Sequence, residues 1–343
     1  MISSMALSAD VLRVDPSTTI SSITESIRTA VHQVLHRRGA VIGLSGGIDS
    51  SLCAALCAGA LGKENILTLF MPERDSASES IRLGRLLAET LGVNSITEDI
   101  APILEAAGCY QRQFEAIRTI FPEYDVSWKN KIVLPSILAG DRLNVPRLVV
   151  QSPKGELQAA RIPVGAYLKL IAATNFKQRT RKMLEYYYAD RMNYAVCGTP
   201  NRLEYDQGFF VKGGDGLADF KPIAHLYKTQ VYSLARAIGV PEEICSRPPT
   251  TDTFSLPQSQ EEFYFALPYD KLDLCLYAHN NNVPEEETAN AVGLTAEQVK
   301  RVYNDIDTKR RTTLPLHLAP ILAGAVEETA RLRTMADHPG VIF

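Results

Sequence analysis

Short apolar runs alternate with amphipathic stretches along the first hundred residues. Residues 40–44 (AVIGL) and 66–70 (ILTLF) are continuous apolar runs, which are typical of strands buried on both faces. Apolar residues at helical spacing lie before, between and after these runs. The pattern predicts strands at 40–44, 66–70 and 95–99, and helices at 20–38, 51–62 and 76–92. Such alternation with short connections predicts an open, doubly wound parallel sheet of the α/β class.

The regular alternation stops between residues 121 and 174, where prolines are frequent and no period is sustained. We therefore expect an insertion there, packed on the edge of the sheet. Beyond it the pattern predicts a helix at 175–193, a strand at 194–199, a loop at 201–220, a helix at 225–239 and an extended stretch at 247–262. A helical C-terminal layer is predicted from helices at 268–281, 284–292, 295–306 and 318–333. We expect one domain over residues 1–343, with its core at about 20–320.

Composition and charge narrow the class of protein. The 343 residues include 36 Lys and Arg against 39 Asp and Glu, so the net charge is −3, and a basic face for nucleic acid is not expected. No apolar run of roughly 18 residues occurs, so no membrane span is expected. The N-terminus lacks the basic flank and apolar stretch of a secretory signal, and we therefore predict a cytoplasmic protein. Six dispersed cysteines and six histidines, with no CxxC pair, do not predict a transition-metal site.

The best local signal for chemistry is the sequence GLSGGIDSS, residues 43–51, between a predicted strand and a predicted helix. Adjacent glycines allow a tight curl in which several backbone amides face one anion, and the following helix directs its positive end at the same anion. Three serine hydroxyls add donors, and Asp49 is expected to be an exposed Mg²⁺ ligand beside the phosphates. The stretch contains neither GKS/T nor GxGxxG, which excludes a Walker A loop and a dinucleotide fingerprint.

Residues 43–51 resemble the pyrophosphate-binding loop of N-type ATP pyrophosphatases, whose members adenylate an acceptor and release pyrophosphate. Downstream stretches narrow the resemblance to the family of ammonia-dependent NAD synthetases, and it then covers roughly residues 20–320 apart from the insertion. These stretches are NFKQRTR (175–181), CGTPNRLEYDQGFFVKGGDGLADFKPIAHLYKTQ (197–230), RPPTTD (247–252) and TKRR (308–311).

The resemblance implies a role for each matching residue. It implies that ATP is bound by Gly43, Leu44, Ser45, Gly46, Gly47, Ile48, Asp49, Ser50, Ser51, Thr199, Lys228 and Thr250. It implies that Mg²⁺ is held by Asp49 and Glu204, and that the dinucleotide is contacted by Arg179, Lys212, Asp219 and Lys309. The catalytic residues would be Asp49, Lys212 and Lys228, because Mg²⁺ and lysines stabilise the charge that builds up on the leaving pyrophosphate. The glycines of residues 212–216 (KGGDG) would let this stretch fold over the phosphates.

The implied reaction is the amidation of deamido-NAD⁺ by ammonia, with ATP as co-substrate. It proceeds through an adenylated intermediate and yields NAD⁺, AMP and pyrophosphate, and the resemblance also implies a homodimer. Three departures from the family pattern concern the acceptor: Thr308 precedes Lys309 where the family has His, residues 255–262 (SLPQSQEE) are reordered, and residues 121–174 are inserted. An amide ligase with the same ATP site and another carboxylate acceptor therefore remains open.

Other classes of protein are less consistent with the sequence. Residues 285–306 have the spacing of a helix-turn-helix, but their acidic start favours an ordinary helical hairpin over a DNA reader. A tRNA-thiolating enzyme would need a cysteine pair and a basic face. A scaffold without catalysis would not require Asp49, Glu204 and Lys212 together. Residues 1–39 are too few for a glutaminase domain, so we expect ammonium and not glutamine to be the nitrogen donor.

Overall fold

The computed structural model describes residues 7–134, 145–249, 253–265, 267–324 and 326, apart from the side chains of residues 261 and 262. A four-stranded parallel sheet has the order β3-β2-β1-β7. Its strands are β1 (Ala40–Gly43), β2 (Ile66–Phe70), β3 (Asn94–Thr97) and β7 (Ala195–Val196). In the register, Val41 of β1 lies between Leu67 and Val196. The first two strands could be predicted from sequence because they are buried and therefore read as continuous apolar runs. Every residue in them except Gly43 is buried.

Helices cover both faces of this sheet, which confirms the doubly wound arrangement. One face packs on α1 (Pro16–Arg28), α2 (Ile48–Leu61), α3 (Ser78–Leu91), α8 (Lys228–Ala237) and α9 (Glu242–Cys245). The other face packs on α4 (Ala101–Ala106), α5 (Cys109–Arg118) and the second half of α6 (Val164–Met192). The helix predicted at 20–38 begins earlier, at Pro16, because Asp15 accepts a hydrogen bond from the Thr18 amide at 2.8 Å and caps it.

The insertion contains regular structure that the sequence pattern did not reveal. It forms an antiparallel sheet of β4 (Lys129–Val133), β5 (Arg147–Gln151) and β6 (Leu157–Arg161), in that order. Its apolar side chains pack on α5 and on the first half of α6, whereas we expected packing on the sheet edge. Each strand has five residues. Only alternate positions are buried in β4 and β5, and none is buried in β6, so the apolar period is hard to detect among prolines.

The C-terminal layer is helical, with one correction. The helices α10 (Tyr269–Asn280), α11 (Glu285–Val292) and α12 (Ala296–His317) form a separate apolar cluster, and α11 and α12 make the expected hairpin. The helix predicted at 318–333 is wrong for residues 318–324, which are not helical, and most of its remainder lies outside the described residues. Instead α12 continues past residue 306 to His317. Among the described residues, no helix is long and apolar enough to cross a membrane.

A short helix, α7 (Arg202–Gln207), interrupts the loop predicted at 201–220. The Asn201 side chain accepts from the Glu204 amide at 3.3 Å, and the Glu204 carboxylate accepts from the Asn201 amide at 3.1 Å. This is a capping box, in which two backbone donors at the start of a helix are satisfied reciprocally. It holds Asn201 and Glu204 at the carboxyl end of β7, close to the glycine-rich loop that follows β1.

Candidate active site

The loop between β1 and α2 is a compact turn that only glycine allows. Gly46 has φ +72°, and a Cβ atom there would lie 2.3 Å from the Ser80 carbonyl oxygen. The hydroxyls of Ser50 and Ser51 both donate to the Gly47 carbonyl, at 3.1 and 2.8 Å. These contacts fix the loop against the first turn of α2, whose leading amides have no acceptor within the helix. The turn therefore provides a preformed site for an anion.

Two carboxylates and one lysine meet beside this loop. Asn201 joins the carboxylates, since its side-chain amide donates to Asp49 Oδ1 at 2.9 Å while its backbone amide donates to Glu204 Oε2. The Lys228 ammonium donates to Asp49 Oδ2. The Lys228 side chain is fully buried and that of Asp49 is only 15% exposed, so the expectation of an exposed Asp49 is wrong. The cause is the lysine, which needs a buried counter-charge.

The pKa values in this cluster are shifted by burial and by closely spaced charges. Burial and the negative charge of Asp49 raise the pKa of Glu204 to about 8. Burial alone would lower the pKa of Lys228, but the charges of Asp49 and Glu204 outweigh it and raise that pKa. Asp273 supports the lysine from behind, because its carboxylate accepts from the backbone amides of Lys228 and Thr229 at 3.2 and 2.7 Å. A bound cation would relieve the repulsion between Asp49 and Glu204.

The loop and the carboxylates open onto a cavity of about 420 Å³, within the usual range for a small-molecule site. Of the residues expected to bind ATP or metal, the cavity is lined by Gly43, Leu44, Ser45, Gly47, Ile48, Asp49, Ser50, Thr199 and Glu204. Three others of this set lie just behind the lining: Gly46 against Ser80, Ser51 beneath Gly47, and Lys228 beneath Asp49. Thr250 lies outside the described residues.

Comparison with known proteins identifies the family to which this chain belongs. The sequence model of the NAD synthase family matches residues 19–121 and 143–312. The chain belongs to this family. An NH(3)-dependent NAD(+) synthetase of Mesorhizobium japonicum is 56% identical over 317 residues, which are 92% of this chain and 99% of that protein.

Two solved structures of similar fold support the architecture. They are an NMN synthetase from Francisella tularensis, at 21% identity, and an NH3-dependent NAD synthetase from Campylobacter jejuni, at 22%. Each gives a TM-score of 0.58 and covers 91% of this chain and 100% of that chain. At such identity the likeness establishes the fold alone.

The residues that the NAD synthase resemblance assigned to the dinucleotide are not gathered at the cavity. Arg179 Nε donates to the Lys212 carbonyl at 3.2 Å, and Lys212 Nζ donates to the carbonyls of Pro315 and Leu318 at 2.7 and 3.2 Å. Asp219 accepts from the Val196 amide at 2.8 Å and from the Tyr186 hydroxyl at 3.1 Å, so it joins β7 to α6.

Lys309 is likewise engaged elsewhere. Its ammonium contacts Asp305 at 2.7 Å and the Tyr264 carbonyl at 2.9 Å, and burial lowers its pKa. Tyr264 itself lines the cavity, so Lys309 lies one residue behind the wall. In this conformation none of the four dinucleotide residues is part of the cavity lining.

Several charged residues of the cavity wall were missed by sequence reasoning. Lys182 and Glu185 form a buried ion pair with an N–O distance of 2.5 Å, and burial raises the pKa of Glu185. A Cβ atom on Gly43 would lie 2.8 Å from Glu185 Oε1, which gives that glycine a steric role. Arg181 and Arg247 supply positive charge at the same wall. Arg181 and Arg247 lie within the stretches 175–181 and 247–252 that resemble the family, but Lys182 and Glu185 lie outside them, and the four side chains converge only in the folded chain.

Asn201 was also missed, although the sequence carries a signal for it. The stretch Asn201 to Glu204 (NRLE) has the spacing of a capping box, which predicts the helix and pairs these two residues. The bridge from Asn201 to Asp49 could not be predicted in the same way, because 152 residues separate them.

The cavity fits Mg²⁺ bound together with a phosphate ligand. Asp49 and Glu204 provide carboxylate oxygens, and burial of this like-charged pair favours a cation between them. Among the described residues, no group of three or more His, Cys, Asp and Glu side chains could hold a metal alone. Mg²⁺ is typically held by one or two carboxylates and by the phosphates of its substrate, which is the combination available here.

Proposed function

We propose that this chain acts as a single catalytic domain that converts deamido-NAD⁺, ATP and ammonia into NAD⁺, AMP and pyrophosphate. The observation that carries the proposal is the convergence of the serine-rich anion turn with Asp49, Glu204 and Lys228 at one cavity. The Mesorhizobium japonicum relative that is 56% identical has the name of this activity. A scaffold protein would have no reason to bury a lysine between two carboxylates at the end of a parallel sheet.

The first half-reaction joins the acceptor to AMP. The pyridine carboxylate attacks the α-phosphorus of ATP, a C–O–P bond forms, and the bond to pyrophosphate breaks. The anion turn at residues 45–51 would receive the pyrophosphate through the leading backbone amides of α2, which the bonds from the Ser50 and Ser51 hydroxyls to the Gly47 carbonyl hold in place before substrate binds. Mg²⁺ held by Asp49 and Glu204 would neutralise phosphate charge. Lys228 acts through Asp49, whose carboxylate it holds in place.

The second half-reaction consumes the adenylate. Ammonia attacks the activated carbonyl carbon, a C–N bond forms, the C–O bond to AMP breaks, and one proton leaves the nitrogen. Such an intermediate must be kept from water, and the aromatic side chains of Phe209, Phe263 and Tyr264 in the cavity lining would help to exclude it.

One incubation tests the reaction. The purified chain with ATP, Mg²⁺, ammonium and deamido-NAD⁺ should form NAD⁺, AMP and pyrophosphate in equal amounts. Nicotinate mononucleotide serves as the control acceptor, and a preference for it would replace the dinucleotide in the proposal. Release of ADP and phosphate would contradict the proposal. Glutamine supplied in place of ammonium should give no NAD⁺.

A homodimer and a cytoplasmic location complete the proposal. The helix α6 exposes apolar side chains along its length, including Leu168, Met183 and Tyr187, at 54–61% exposure. Such a face suits burial against a second copy, which would also bring a second set of loops near the acceptor. Sedimentation of the wild type and of the Leu168→Lys variant tests the dimer. The introduced charge should weaken the association of the two copies.

A further inference from the structure

Residues 253–260 connect two points of the cavity lining and are called here the wall segment. Thr253 and Gln260, at its two ends, line the cavity. At the first end, the buried Lys177 ammonium donates to the Thr253 carbonyl at 2.9 Å and is itself held by Glu73 and Asp75. The position of the segment is therefore fixed at the point where it enters the cavity wall.

At the other end, the wall segment contacts the predicted metal ligand. Gln260 Nε2 donates to Glu204 Oε1 at 3.1 Å, and the Tyr269 hydroxyl donates to Gln260 Oε1 at 2.6 Å. The tyrosine fixes which side of the amide faces the carboxylate. Glu204 Oε2 is held by the Asn201 amide, so the glutamine determines the placement of the second oxygen.

Between these ends, the wall segment is bound to the outer edge of β4. The Leu256 amide donates to the Asn130 carbonyl at 3.0 Å, and the Asn130 amide donates to Ser255 Oγ at 2.9 Å. The Gln258 side-chain amide donates to the Ile132 carbonyl. Gln258 is buried and Phe254 packs into the apolar cluster of the insertion. The edge strand is thus used to hold the wall segment.

This strand is not part of the region by which the family is recognised. The family match stops at residue 121 and resumes at residue 143, and β4 lies in that gap. The segment that contacts the proposed metal-ligand carboxylate is therefore bonded to a strand that lies outside the matched ranges of the family.

We propose that β4 is a positioning strand for the nucleotide site, which holds the wall segment so that Gln260 keeps the Glu204 carboxylate in place. The inference rests on the proposed function, in which Glu204 binds Mg²⁺. Gln260 and Gln258 are positioning residues, because they act on the metal and the nucleotide through Glu204.

The test compares Gln258→Ala, Gln260→Ala and their double variant with the wild type. In Gln260→Ala the loss of the hydrogen bond to the Glu204 carboxylate should raise the Mg²⁺ concentration for half-maximal activity about tenfold. In Gln258→Ala the loss of the bond to the Ile132 carbonyl should release the wall segment from β4, and thereby Gln260, and raise the Mg²⁺ requirement to a similar extent. The double variant should need no more Mg²⁺ than the more impaired of the two single variants, because both changes release the same carboxylate. Gln151→Ala is the matched control, since Gln151 lies in the same inserted sheet and its side-chain amide donates to the Gly155 carbonyl at 3.4 Å, away from the wall segment. It should leave the Mg²⁺ requirement unchanged.

Two further measurements need no turnover. In Gln258→Ala the Leu256 amide should exchange with solvent faster than in Gln151→Ala, and calorimetric titration with Mg²⁺ and ATP should give about tenfold weaker binding. A lower melting temperature with unchanged Mg²⁺ dependence and unchanged titration would overturn the inference and leave β4 a merely stabilising strand. Should Gln258→Ala fail to fold, Ser255→Ala takes its place. A wild type that binds Mg²⁺ and ATP but forms no NAD⁺ would contradict the proposed function while these two readouts still decide the role of β4.

Discussion

The nucleotide half and the acceptor half of the candidate site differ in how they are built. In the first half, the anion turn, Asp49, Glu204 and Lys228 are placed by strand ends, helix starts and a capping box, and they meet without a ligand. In the second half, Arg179 of α6 donates to the carbonyl of Lys212 in the loop after α7, and the Lys212 ammonium donates to the Pro315 carbonyl near the end of α12. The first half is assembled in advance, whereas in the second half a ligand must compete with these existing contacts.

The largest expected effect is on the nucleotide half. Asp49→Asn removes both the proposed Mg²⁺ ligand and the counter-charge of Lys228, so kcat should fall by about a hundredfold to a thousandfold. Because the lysine keeps a buried charge, the free energy of unfolding should also fall by about 3 kcal/mol. Steady-state kinetics and denaturant unfolding measure the two effects.

Asp206→Asn is the matched control for this variant. Asp206 lies on α7 two residues from Glu204, its side chain is 19% exposed, and it pairs with Arg310 at 2.7 Å away from the cavity. It should retain its activity. Equal loss of activity in both variants would mean that the effect of Asp49 is structural.

The next effect concerns pH and tests whether the nucleotide half depends on a buried carboxyl. Burial raises the pKa of Asp273 to about 6 from an unfolded value of 3.8. Between these values the folded state holds a proton that the unfolded state has released, so the stability due to this group is lost as pH rises from about 4 to 6. The loss amounts to up to about 3 kcal/mol.

Asp273→Asn should remove this pH dependence. The free energy of unfolding of the wild type, relative to that of the variant, should therefore fall from pH 4 to pH 6. Above pH 6 the difference between the two proteins should stay constant. Chemical unfolding at closely spaced pH values provides the measurement, and parallel curves for the two proteins would show that Asp273 does not titrate in this range.

A smaller effect is expected on the acceptor half. Arg179→Ala should raise the KM for deamido-NAD⁺ about tenfold, because a charged bond to phosphate is lost, while the KM for ATP stays unchanged. Arg191→Ala, on the same helix and exposed, is the control. An unchanged KM for deamido-NAD⁺ would favour an acceptor without phosphates and reopen the question of another carboxylate substrate.

The smallest effect concerns the loop that carries Lys212. This loop is held by an internal hydrogen bond, in which the Val211 amide donates to Asp215 Oδ1 at 2.8 Å. It is also held by the Lys212 ammonium, which donates to the carbonyls of Pro315 and Leu318. If substrate draws Lys212 away, amide exchange at 211–217 should slow while exchange at 316–318 quickens. Mass-spectrometric exchange with a non-hydrolysable ATP analogue and deamido-NAD⁺ measures both. Equal rates with and without ligands would mean that the lysine stays where it is.

The sequence was sufficient where short-range rules determine the structure. The apolar run of β1, the glycine pair and the apolar α2 predicted the anion turn and its place at a strand end, and the parallel sheet followed from the alternation. The sequence was insufficient where a residue is defined by distant partners. An isolated lysine such as Lys228 is usually solvated, and only the fold shows that it is buried against Asp49.

The errors have the same physical origin. Residues 318–324 carry an apolar pattern that suits a helix, yet the chain leaves α12 in an extended conformation at Leu318 and offers its carbonyl to Lys212. The insertion hid three strands and the start of α6, because its short strands gain their stability from packing on neighbouring helices. Tertiary contacts override local preference in both places.

The helix α6 has 29 residues and is therefore about 44 Å long. Ala166 and Leu170 near its start pack with the insertion, and Tyr188 and Ala189 near its end pack beneath the parallel sheet. A continuous helix of this length behaves as a stiff rod, so the two sheets cannot rotate against each other without breaking it. Substrate capture should consequently leave the radius of gyration in small-angle scattering unchanged, and the motion of the catalytic cycle should be confined to side chains and loops.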